Sequence, residues 1–110
     1  MAVAFKTGDP RGLLGRIKTA IDDGSVDTWS YDKDGDFTHT PTQWKNKAWL
    51  RPLVQNGQLL LTTINPKDTS ISWEVYGVYM GRFTEAVIVH FHDYFSSAES
   101  TARPTASDKV

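Results

Sequence analysis

Leu13, Leu14, Ile17, Ala20 and Ile21 recur at helical spacing, and Arg11, Arg16, Lys18, Asp22 and Asp23 fall mainly on the opposite face. Asp9-Pro10 supplies an N-cap with proline at the first helical position, and Gly24 stands where a C′ glycine belongs. The pattern predicts a helix between them. Gly12 and Gly15 cost it about 1 kcal/mol each in propensity, so it has to lean on tertiary packing.

The pattern then changes to period two. Residues 26–31 alternate, with Trp29 and Tyr31 on one face, and Asp34-Gly35 reads as a tight turn. Residues 36–40 form the return strand, with Phe37 and His39 on one face. Thr40-Pro41-Thr42-Gln43 has the form of a capping box and predicts one or two helical turns through Trp44 and Lys45. Residues 49–54 and 58–64 predict a hairpin around Asn56-Gly57, with Pro52 marking an edge or a bulge. Residues 65–68 predict another turn.

Residues 71–80 give the strongest alternation. Ile71, Trp73, Val75 and Tyr79 lie on one face, Tyr76, Val78 and Met80 on the other, and the reading is a central strand. Gly81 interrupts it. From Arg82 onward Phe83, Ala86, Val87, His90, Phe91 and Tyr94 form a helical stripe, with a strand as the rival because of Val87-Ile88-Val89. The elements add up to an α+β fold. It has an N-terminal helix, an antiparallel meander of about five strands and a C-terminal helix packed on the sheet. Residues 1–95 are expected to form one domain, and the small polar residues of 96–110 a disordered tail.

Composition narrows the function. With no cysteine among 110 residues, disulfides, thiolate metal sites and cysteine nucleophiles are excluded. This suits a reducing, cytoplasmic setting. The apolar residues 1–5 are stopped by Lys6, so no export leader is expected, and no run approaches a bilayer span. Twelve basic against thirteen acidic residues leave a net charge of -1, which disfavours nucleic acid as a partner.

Two clusters look chemical. Asp32-Lys33-Asp34-Gly35-Asp36 resembles the start of a calcium loop, but its glycine falls at the fourth position and the twelfth is Gln43. A polar turn is expected. His90 and His92 would converge on a metal only from a strand, and a helix turns them about 200° apart. His90 is then expected on the core stripe and His92 in solvent, with no metal or cofactor. No nucleophile elbow, P-loop or zinc-protease motif occurs, so no catalytic residue is assigned and the reading leans against an enzyme.

Four Trp within a 12% aromatic fraction remain. Most are needed to fill a small core. Trp44 and Trp49 stand apart, because their stretch is otherwise polar and basic and includes Arg51. The candidate binding residues are therefore Trp44, Trp49, Arg51, His39 and His90. The expected function is a non-catalytic binding or regulatory module whose partner is another protein or a second copy of the chain. The alternative is a small-molecule-binding domain or enzyme with an aromatic pocket between sheet and helices, walled by Trp29, Trp73 and Tyr79.

Overall fold

A computed structural model describes residues 2–67 and 69–103. In chain order the elements are β1 (Ala2–Lys6), α1 (Pro10–Asp22), β2 (Trp29–Tyr31), β3 (Phe37–His39), β4 (Trp49–Gln55), β5 (Gln58–Ile64), α2 (Trp73–Phe91), a single 3₁₀ turn (His92–Tyr94) and β6 (Ser97–Ser100). The strands form one antiparallel sheet in the order β2-β3-β4-β5-β1-β6. Both helices cover the same face.

The α+β class and the helix-on-sheet arrangement are as the pattern predicts, but the strand set differs. The chain opens with a strand that the reading did not contain. Val3 and Phe5 are fully buried under the helices and Ala2 and Ala4 are buried on the other face, so β1 lies centrally, between β5 and β6. The polar C-terminal stretch contributes too. Ser97–Ser100 pairs with β1, and Thr101 donates its N–H to the Ala2 carbonyl at 2.9 Å. The expected tail otherwise extends to residues 104–110, which lie outside the described residues.

The largest correction concerns residues 71–80. Residues 73–80 are the first turns of α2, not a central strand. Ser72 caps the helix by accepting from the Val75 N–H at 3.2 Å. Tyr76, Tyr79, Met80, Phe83, Val87 and Phe91 then form one buried stripe at spacings of three and four that runs through Gly81. From Arg82 the helix is as predicted, but it ends at Phe91 rather than running to Phe95, and Tyr94, placed on its stripe, lies exposed in the 3₁₀ turn.

The local signals elsewhere translate well. The Asp9 carboxylate accepts from the Gly12 N–H at 3.0 Å, and Gly24 has φ +83° just past α1. Asn56-Gly57 closes the β4–β5 hairpin with Gly57 at φ +80°. The turn between β2 and β3 is longer than two residues, because Tyr31 faces Phe37 across a five-residue loop. β3 meets β4 at Phe37 and Leu50, so Pro52 sits where that side of β4 is an open edge. Thr40-Pro41-Thr42-Gln43 leads into one turn, in which the Trp44 and Lys45 N–H groups donate to the Pro41 carbonyl.

The core is an aromatic cluster between sheet and helices. Trp29 meets Tyr79 and Phe83 edge-on at 5.5 and 5.0 Å, and Phe5 meets Phe83 at 6.1 Å.

Candidate functional site

The five residues singled out in the sequence do not converge. Trp44 is partly buried against the core, and its carbonyl accepts a hydrogen bond from the Tyr79 hydroxyl. Trp49 is half-buried on the sheet face away from the helices, opposite Ile64. Arg51 extends from that same face to Asp36, making two hydrogen bonds at 3.0 and 2.8 Å to its carboxylate. His39 is 2% exposed in the core. His90, expected on the core stripe, is instead exposed.

His39 is held by its neighbours. Its Nδ1 lies 2.8 Å from the Thr28 carbonyl, which can only accept, so Nδ1 carries the proton. The ring tilts over Trp29 at 4.5 Å. Burial pushes its pKa below the usual 6.5, the Thr28 carbonyl opposes that shift, and Arg82 lowers it further while Glu85 raises it. Its Nε2 and the Trp29 indole N–H are both buried and find no partner among the described residues.

The carboxylates of Asp32, Asp34 and Asp36 come within 4.8 Å of one another in the β2–β3 loop. Contacts within the protein engage two of the three. Asp32 Oδ1 accepts from the Asp34 and Asp36 N–H groups, and Asp36 is neutralised by Arg51.

Two of the surface depressions among the described residues bear on function. One lies between the C-terminal ends of α1 and α2, lined by Arg16, Thr19, Asp23, His90, Phe91 and Tyr94. The Arg16 guanidinium sits 4.0 Å above the Tyr94 ring.

The other is a groove between α2 and the end of β6, and sequence reading missed it. Trp73, Tyr76, Gly77, Met80 and Gly81 form one wall, and Ser100, Thr101 and Ala102 form the other. Trp73 is 65% exposed, by far the most exposed tryptophan, and stacks on Tyr76 with ring centroids 5.9 Å apart. A Cβ placed on Gly77 or Gly81 would meet nothing within 4 Å, so the floor between Trp73 and Met80 is open. Among the described residues, the groove runs beside an unpaired sheet edge. Thr101 points its N–H at β1, so by alternation Ala98 and Ser100 point their N–H and C=O groups outward. The signal for this site was Ser72 as an N-cap. It starts the helix one residue before Trp73 and turns that side chain away from the buried stripe.

Among the described residues no helix is long and apolar enough to cross a membrane. No family model, curated protein or solved structure matches the chain.

Proposed function

We propose that the protein is a non-catalytic protein-binding module and that the α2–β6 groove is its binding surface. The carrying observation is Trp73, 65% exposed, where Trp29 is buried and Trp44 and Trp49 are at least partly covered. An exposed tryptophan on a tyrosine, beside an apolar hollow, is the composition of an interface anchor. The rings packed between sheet and helices favour a surface partner over an internal ligand.

Selection from a random peptide display library tests the reading. Wild-type protein and Trp49→Ala are expected to enrich the same peptides, and Trp73→Ala to weaken their binding at least tenfold. Enrichment of the same peptides by Trp73→Ala at unchanged affinity, or no enrichment at all, would refute it.

The cleft between the helix ends favours a second reading, a small polar ligand. Arg16 makes no hydrogen bond or ion pair among the described residues, which leaves its donors open to a carboxylate. A titration with simple mono- and dicarboxylates, followed by NMR at Arg16 Nε–H and the His90 ring, decides it. Saturable shifts support it, and none at millimolar concentration removes it.

A further inference from the structure

We propose that the free edge of β6 takes up an extended segment of another protein by strand addition, and that this segment carries a basic residue opposite Glu99 flanked by apolar residues. The inference rests on the groove being the binding surface and adds the conformation and chemistry of the partner.

The conformation follows from the edge. Ser97–Ser100 ends the sheet, and its outward N–H and C=O groups at Ala98 and Ser100 have the spacing of a strand. Only extended backbone satisfies both residues at once.

The side-chain preference follows from the register. Ala98 lies opposite Phe5 and Ser100 opposite Val3, and both of those are core residues under the helices. Partner residues that pair with Ala98 and Ser100 therefore project onto the helix-bearing face. There the one opposite Ser100 enters the groove floored by Gly77 and Gly81 between Trp73 and Met80. The partner residue between them projects onto the other face, beside the exposed carboxylate of Glu99. The pattern is apolar, basic, apolar.

Charge speaks against a second copy as the occupant. A symmetric pairing that uses both outward residues of each strand has its two-fold axis at Glu99 and sets that carboxylate against itself.

The experiment uses the whole chain and three capped, fluorescein-labelled peptides. Their centres are Val-Lys-Val, Val-Glu-Val, and Val-Lys-Val with both valine nitrogens methylated. Strand addition predicts that the first binds and slows hydrogen exchange at the Ala98 and Ser100 amides. The second binds at least tenfold more weakly, and the methylated peptide, which cannot donate to the edge, does not bind. Glu99→Lys reverses the preference between the first two. Gly77→Leu, whose added atoms enter open space on a helix, fills the groove and weakens the first at least tenfold.

Equal binding of the methylated peptide, or an unchanged charge preference in Glu99→Lys, overturns strand addition. If such binding is still lost in Gly77→Leu, the groove stands as a binding surface and only its mode falls. No binding of any peptide at millimolar concentration also overturns strand addition, and the library selection judges the groove separately.

Discussion

His39 shows how burial converts an ordinary polar side chain into a pH-dependent one. Its neutral form is held by the Thr28 carbonyl and enclosed by Trp29 and Tyr79. Because the folded pKa lies below the unfolded 6.5, the unfolded chain binds the proton first as pH falls. Stability is full above 6.5 and declines below it, until the folded histidine also titrates. Urea midpoints should therefore drop between about pH 7.5 and 5, and His39→Gln should flatten that part of the profile. An identical slope in the variant would assign the loss to other groups.

Asp36 and Arg51 make a different case. The carboxylate is nearly buried, while the guanidinium side chain is 44% exposed, so solvent screens the pair. Arg51→Ala strands a buried anion and should cost about 1–2 kcal/mol in urea unfolding. Arg51→Lys should recover part of that, because lysine keeps the charge but loses the fork. The sequence marked Arg51 as notable but placed it at an interface. Nothing in the spacing of residues 36 and 51 reveals that a strand pairing joins them.

At the scale of elements, legibility depended on whether a signal was local. Asp9-Pro10 with Gly24, and Asn56-Gly57, act through neighbouring backbone groups, and each produced the element predicted. Residues 71–80 failed because apolar residues fall on both sides of a period of two and also on a period near 3.6. Tertiary packing decided between them: the stripe from Tyr76 to Met80 continues through Phe83 and Val87 only as a helix. Gly81 reads as a break in the pattern, yet a helical glycine costs only about 1 kcal/mol. That misphasing hid Trp73, which a strand reading put on a packed face. The glycines now offer a check. Each of Gly77→Ala and Gly81→Ala should raise stability by about 0.5–1 kcal/mol in urea unfolding, since the new methyl meets open space. Destabilisation by either would mean that the groove floor is closed. Ser72→Ala should cost about 1 kcal/mol by the same measurement, through loss of the cap.

At the scale of the molecule, the first and last strands pair with each other at one side of the sheet. β1 has β5 on one side and β6 on the other, so strands from opposite ends of the sequence lie side by side. No local pattern carries that information. β1 is five residues long and apolar on both faces, and β6 has four exposed, mostly polar residues. What fixes β6 is pairing. The Ser96 N–H donates to the Lys6 carbonyl at 2.8 Å, Thr101 bonds Ala2 through both its N–H and its hydroxyl, and the Thr7 hydroxyl donates to the Tyr94 carbonyl. A chain ended after Phe95 keeps the last of these and loses the others. It also turns β1 into an open edge beside the fully buried Val3 and Phe5. Bonds of this kind contribute about 1 kcal/mol each, partly offset by the entropy of ordering a short strand. The truncated chain should therefore unfold at lower urea by about 2–3 kcal/mol and aggregate more readily in light scattering, compared with a chain ended after Arg103. Equal midpoints would mean that Ser97–Ser100 only rests on a sheet already complete at β1. The edge would then belong to β1, and an added segment would compete with β6 for it rather than extend it.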